Sequence, residues 1–257
     1  MSLAHPVLAL WMAAGASSSL PDARALVDGL AQRQRQFEAA LSDYTFDLEM
    51  VYEQLDKQGA VVERKSRQYE AFFVKGKRVR RLVGENGARL SPERQAQVDQ
   101  DMRRYVGEVL DGKARPPRQQ GVSLAQVLDR FDFRSVAREP VEGRPAILME
   151  FTPLPGKRDL KGDVFLRQMA GRLWVDEAER VVVRAEIHST GSIKVAFGLG
   201  ASIAAVELFS EFTRVEDGVW LPRRTQSLVQ GRVMLLKGIH ERTTGTYSRY
   251  RRASAKG

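Results

Sequence analysis

The chain has 257 residues, of which 43% are hydrophobic and 28% charged, a balance that supports a buried core and excludes both wholesale disorder and a polytopic membrane protein. Cysteine is absent, which removes disulfides, thiolate metal sites and a cysteine nucleophile together. Lys+Arg 41 against Asp+Glu 32 leaves a net charge of +9, which favours anionic surfaces in general and names no particular one.

Val7 to Ala14 is a short apolar run, and Ala14-Gly15-Ala16 after it has the small-x-small form of a secretory cleavage site. Residues 1–16 are expected to be a signal peptide and residues 17–257 one mature domain. No Lys or Arg precedes the run and Pro6 stands at its edge, so the competing reading is the N-terminal segment of a cytosolic protein. The run is well short of the roughly 20 residues that span a bilayer.

From Pro21 or Asp22 to Leu41, the residues Leu26, Leu30, Phe37 and Leu41 fall on one side of an amphipathic helix. At Tyr44 the period changes to two. Tyr44, Phe46, Leu48, Met50 and Tyr52 alternate with a more polar set, the pattern of a strand with one buried and one wet face. Asp56-Lys57-Gln58-Gly59 then predicts a hairpin into Val61–Val74, Lys75-Gly76-Lys77 a turn into Val79–Val83, and Asn86-Gly87 a further turn. Ser91-Pro92-Glu93 starts a helix to about Leu110, with Val98, Met102, Val106 and Val109 on one side. Asp111 to Gln120 reads as an exposed, mobile loop, and Ser123-Leu124-Ala125-Gln126 as a capping box opening a short helix to about Phe131.

From Phe133 on, strand signals alternate with hairpin punctuation. Glu142-Gly143 separates Phe133–Ala137 from Ala146–Thr152, Asp176–Glu179 separates Leu173–Val175 from Val181–Ser189, and Glu216-Asp217-Gly218 separates Val206–Val215 from Val219–Leu228. Arg232–Thr243 and Tyr247–Arg251 are expected to close the series as two strands. Tight turns between consecutive strands require antiparallel pairing, because a parallel neighbour needs a long crossover. The expected fold is α+β: one large curved antiparallel sheet of about ten strands, with two or three helices laid across one face.

The segments LWVDEAERVVVRAEIHSTG (Leu173–Gly191) and VELFSEFTRVEDGVWLPRRTQSLVQGRVMLLKGIHERTTGTYSRYR (Val206–Arg251), with YEAFFVKGKRVRRLVGENGARLSPERQ (Tyr69–Gln95), carry a resemblance. Their order of Trp-Val-Asp hairpin, strand, turn before Val-Trp-Leu-Pro and closing strands resembles the LolA/LolB-like superfamily, periplasmic carriers of outer-membrane lipoproteins and lipids. The resemblance implies an incomplete, half-open β-barrel whose concave apolar side is covered by helices and accepts an acyl chain. No lipoprotein-handling residue of that group aligns with a position here. The candidate lining of such a hydrophobic cavity is Phe46, Leu48, Met50, Tyr52, Phe72, Met102, Met149, Phe151 and Trp174. Phe and Met suit a variable hydrocarbon tail, and burying a 16-carbon chain is worth up to about 13 kcal/mol at ~0.8 kcal/mol per CH₂ before ordering costs. An alternating apolar face can equally be a filled core.

Readings as an enzyme have little support in the residues. Of the three histidines, His5 lies in the expected signal, and His188 and His240 lack metal-pair spacing and are read as exposed strand residues. There is no G-x-S-x-G elbow. Gly198-Leu199-Gly200-Ala201-Ser202-Ile203 begins like a dinucleotide fingerprint, but Ile replaces the third glycine, and a flexible loop or strand bend is the better reading. The carboxylates Asp176, Glu177, Glu216 and Asp217 sit where turns need polar residues. The basic clusters Lys75/Lys77/Arg78/Arg80/Arg81, Arg223/Arg224 and Arg249/Arg251/Arg252 are read first as a solvated face paired with acids, and second as attraction to anionic lipid head groups.

The expectation is therefore an exported periplasmic carrier or sensor of a lipid or lipoprotein acyl chain, monomeric and non-catalytic. It uses no metal or cofactor and no nucleic acid, and its contact with an anionic membrane surface is transient. The alternative is a periplasmic scaffold or regulatory module of the same fold that binds a protein and has a filled core.

Overall fold

The structure, a computed structural model, describes residues 19–114, 128–155, 163–195, 201–216, 218–233 and 237–253. The expected signal peptide, the capping box at Ser123 and most of the loops around Pro116 and Gly198 lie outside these residues.

Helix α1 (Ala23–Ala40) opens the chain. The Asp22 carboxylate caps it by accepting from the Ala25 amide at 2.9 Å, which satisfies one of the orphan donors of the first turn. A 3₁₀ turn, Leu41–Asp43, leads into β1 (Tyr44–Leu55), followed by β2 (Val61–Val74), β3 (Lys77–Glu85) and the short β4 (Ala88–Arg89). The connections 75–76, 86–87 and 142–143 each place both residues at positive φ, the geometry of a two-residue hairpin turn that matches strand twist. Helix α2 (Pro92–Leu110) begins as the residues require: the Ser91 hydroxyl accepts from the Arg94 amide and Pro92 fills the first position.

After a 3₁₀ turn, Leu128–Arg130, come β5 (Phe131–Arg138), β6 (Ala146–Pro153), a single helical turn α3 (Asp163–Leu166), β7 (Met169–Asp176) and β8 (Val182–Ser189). The chain ends with β9 (Ile193–Val195), β10 (Ala201–Arg214), β11 (Trp220–Val233) and β12 (Lys237–Arg252). All twelve strands form one antiparallel sheet in the order β4-β3-β2-β1-β12-β11-β10-β8-β7-β6-β5, with β9 paired to β10 beside this path. The sheet does not close, and the fold is an α+β incomplete barrel.

The register defines two faces. Opposed residues share a face, so Met50, Gly245, Thr225, Ser210, Ala185, Leu173 and Met149 form one continuous row across seven strands. The adjacent row, Glu49, Thr246, Arg224, Glu211, Arg184 and Trp174, is on the opposite side. Helix α1 covers the first, inner face. Its Leu26 and Leu30 are 1% and 0% exposed and pack with Met149, Leu173 and Ala185, while Ser135 on β5 donates to the Pro21 carbonyl at 2.8 Å.

Three expectations need correction. Helix α2 lies on the outer face and not with α1, because Arg81, which pairs Asp99 of α2, registers with Glu70 and Asp47 on that side. The closing strand is one sixteen-residue element, not two, and Arg232 belongs to β11. Thr244-Gly245-Thr246 reads as a break, yet Gly245 stays in both ladders because a side chain there would collide with Thr225 and Met50, which close over it. Phe131 begins a strand and does not end a helix, since its ring packs at 5.0 Å on Phe151 of the neighbouring strand.

Candidate functional site: the inner face of the sheet

The inner face has two apolar ends. At one, α1 packs into Ile147, Met149, Phe151, Leu173, Val175 and Val182. At the other, Phe46, Leu48 and Ala71 form a cluster joined by Leu41, Met50, Tyr69, Phe73 and the rings of Tyr247 and Tyr250. The C-terminal half of α1 and the following turn bridge the two ends, and the gap beside Gln34, Phe37, Phe212 and Pro222 is about 50 Å³. That is room for one or two waters, so this part of the interior is packed.

Between the ends, β10 to β12 present small side chains: Ser210, Thr225, Ser227, Thr243 and Gly245. Leu208, on the same side, is 36% exposed, and Met50 and Tyr52 on β1 and Tyr69 and Phe73 on β2 are half-buried. Beyond the helix this stretch of the face is thus uncovered, with apolar side chains on β1, β2 and β10 and hydroxyl-bearing ones on β10 to β12. A second inner hollow, about 750 Å³, opens between α1 and β5. Val27, Ala31, Leu128, Phe131, Phe133 and Leu154 line it, with Arg24, Asp28, Asp129 and Asp132 at its margin.

The predicted lining divides between the faces. Phe46, Leu48, Met50, Tyr52, Met149 and Phe151 are brought to the inner face, although Phe46, Leu48, Met149 and Phe151 are covered by the protein's own side chains. Phe72 registers with Val79 on the outer face, and Met102 lies on α2 against that face. Trp174 also faces outward: its indole N–H donates to Glu139 at 2.7 Å, and Arg184 stacks on its ring at 4.6 Å. The parity of its strand decides this, since Leu173 and Val175 take the inner side. Leu208 and the hydroxyl-bearing stretch were not among the predicted residues. Their signal was the alternation Val206, Leu208, Ser210, Phe212, in which Ser and Thr look like a solvated face.

Two groups read as incidental have defined partners. His240 is half-buried, not exposed: Nδ1 meets the Asp56 carbonyl at 2.6 Å and Nε2 the Gln230 amide nitrogen at 2.9 Å, which ties the first hairpin to β11. Asp176, 1% exposed, accepts from Arg144 at 2.6 Å and from the Ala178 and Glu179 amides. Burial opposes its ionisation, but the Arg144 hydrogen bond and the two amides outweigh that, and its carboxyl is held below the usual range. Burial, then Tyr69, pushes the Tyr52 phenol up; burial and Tyr247 push up Tyr250, whose hydroxyl donates to the Pro222 carbonyl. Among the described residues, no group of three His, Asp or Glu is placed to hold a metal ion, and no helix is long and apolar enough to cross a membrane.

No family model matches the chain, and no curated protein does. Solved structures do. A domain described as an outer membrane lipoprotein-sorting protein from Vibrio parahaemolyticus is 11% identical, with 90% of this chain and 95% of that one covered and a TM-score of 0.41. A DUF1329 family protein from Desulfovibrio piger is 15% identical over 93% and 96%, with a TM-score of 0.41. A LolA superfamily protein from Nitrosomonas europaea is 11% identical over 91% and 95%, with a TM-score of 0.33. Similarity of this degree assigns neither ligand nor activity.

Proposed function

We propose that the protein is a non-catalytic, exported periplasmic binding protein that takes up an acyl chain of a lipid or lipoprotein along the inner face of its sheet. The carrying observation is the uncovered stretch of that face. Leu208 on β10 is 36% exposed and Met50, Tyr52, Tyr69 and Phe73 on β1 and β2 are half-buried on the same face of a sheet that does not close. Apolar side chains on this face that the protein's own helix does not cover are a surface that a hydrocarbon chain stabilises by burial. The hydroxyls of Thr225, Ser227 and Thr243 keep this stretch wettable, so the chain can leave again.

Organic extraction of the purified protein followed by lipid mass spectrometry is expected to yield acyl species near one per chain. Titration with dansylaminoundecanoic acid is expected to saturate, and Leu208→Asp to weaken it at least tenfold, a change of about 1.4 kcal/mol. No acyl species in the extract together with no saturable probe binding refutes the proposal.

A further inference from the structure

The strand order ends at β5, and no strand lies on its far side among the described residues. One hydrogen bond decides which backbone groups that edge presents. The Leu154 amide donates to the Arg130 carbonyl at 2.8 Å, which makes residues 130 and 154 a hydrogen-bonded pair of the β5–β6 ladder. In the observed register the next such pairs are Asp132 with Thr152 and Arg134 with Glu150. Phe131, Phe133 and Ser135 between them therefore turn their amides and carbonyls away from β6, toward the free edge. An irregularity between Ser135 and Ala137 ends this straight run.

The side chains sort by the same parity. Phe131 and Phe133 lie on the inner face and line the hollow of about 750 Å³ beside α1, while Asp132 and Arg134 are exposed on the outer face. Asp132 pairs with no cation among the described residues. Arg134 meets Glu150 at 2.6 Å yet keeps 74% of its side-chain exposure. An edge with free backbone groups, an apolar inner side and no proline in the run is a template for another strand.

A second copy of the same segment fits it. Antiparallel pairing about a twofold axis at Phe133 opposes Phe133 to the partner's Phe133 and Phe131 to the partner's Ser135, and each of these residues offers the outward groups that a hydrogen-bonded pair needs. Asp132 then stands opposite the partner's Arg134, and Arg134 opposite the partner's Asp132, in the positions where cross-strand side chains approach closest. Moving the axis by one residue, to Asp132 or to Arg134, sets like charges against each other.

We propose that two copies of the chain join through the β5 edge in this register, giving one continuous sheet. The axis is perpendicular to the sheet, so both inner faces lie on the same side and the two hollows beside α1 adjoin across the Phe133 rings. Apolar surface open to a ligand then runs from one copy into the other. The association itself does not depend on the acyl-binding reading.

Sedimentation equilibrium of the full chain is expected to show a concentration-dependent dimer, weak because the paired segment is short, with a Kd on the order of 100 µM. Asp132→Arg sets two arginines opposite each other across the axis, and Arg134→Asp two aspartates, so each variant alone should dimerise about tenfold more weakly. Mixed together, the two variants place Arg against Asp at both positions, and their heterodimer should form with about the wild-type Kd. A disturbance of folding cannot give that rescue. Since the chain has no cysteine, a spin label on Thr152→Cys reports the contact with Asp132 and Arg134 intact. Thr152 is opposite Asp132, so three strand spacings and an offset of two residues put the paired Cα atoms roughly 16 Å apart.

A chain that stays monomeric up to about 1 mM overturns the proposal. So does a dimer that neither single variant weakens, a mixture of the folded variants that forms no heterodimer, or labels farther apart than about 30 Å, which places the contact elsewhere. If either variant fails to fold, the label distance decides alone.

Discussion

Asp176 shows how a polar residue becomes structural through its surroundings. It belongs to a hairpin, where an acid is ordinary, yet its side chain is 2% exposed and receives Arg144 and two backbone amides. Because the folded carboxyl is held below its unfolded value, its stabilisation is complete above the unfolded value of about 3.9 and is lost as pH falls through the lower folded one. Asp176→Ala is expected to cost about 2 kcal/mol at neutral pH, as for hydrogen bonds to a charged group. It costs less than a fully buried pair would, because Arg144 keeps 38% of its side-chain exposure and can return to water. Urea unfolding at pH 7 and near pH 3 checks this. The gap between variant and wild type should shrink in acid, and a gap of equal size at both values contradicts it.

Among the elements, glycines separate positions that packing controls from positions that it ignores. A Cβ at Gly171 in β7 would stand 2.1 Å from the Glu186 carbonyl oxygen and 2.9 Å from the Ile187 Cα, both backbone of β8. Backbone in a central strand cannot step aside, so Gly171→Ala is expected to destabilise by about 3 kcal/mol. Gly29 in α1 has nothing within 4 Å of its would-be Cβ. Gly29→Ala should stabilise by about 0.5–1 kcal/mol through the unfolded chain's lost freedom. Thermal melts of the two variants are predicted to move in opposite directions, and a shared direction would count against this packing. The same logic explains the uninterrupted closing strand: Gly245 signals a turn locally, but its missing side chain is what lets Met50 and Thr225 close over the ladder.

At the scale of the whole molecule, the chain is closed by its ends. Strand β12 lies between β1 and β11, so the last element joins the first half of the sheet to the second. A protein truncated before Lys237 would leave both neighbours as unpaired edges in the middle of the sheet. It is predicted to lose cooperative unfolding, read by circular dichroism and by collapse of amide dispersion in the NMR spectrum; retained dispersion would show that the two halves fold independently. The order of the strands is also why α1 can bridge two apolar clusters far apart in sequence, one around Met149 and one around Phe46.

Elements with strong local signals were legible from residues alone: the capped α1 and α2, the alternating β1, and the Lys75-Gly76, Asn86-Gly87 and Glu142-Gly143 turns. Their causes, a capping oxygen, a two-residue period or a glycine at positive φ, act within a few residues. The candidate site was legible only in part. Alternation shows that Phe46, Leu48, Met50 and Tyr52 share a face with one another, but it cannot relate that face to Trp174 or Phe72, because only the pairing of distant strands transmits parity across the sheet. The same pairing decided that α2 lies behind the sheet and α1 within it, that Leu208 stays uncovered, and that β5 is left at the edge. Sequence determined most of the helix, strand and turn segments and that one sheet face is apolar; tertiary structure decided which apolar residues are spent on the protein's own core and which stay uncovered, because burial is a property of what lies opposite and not of the residue itself.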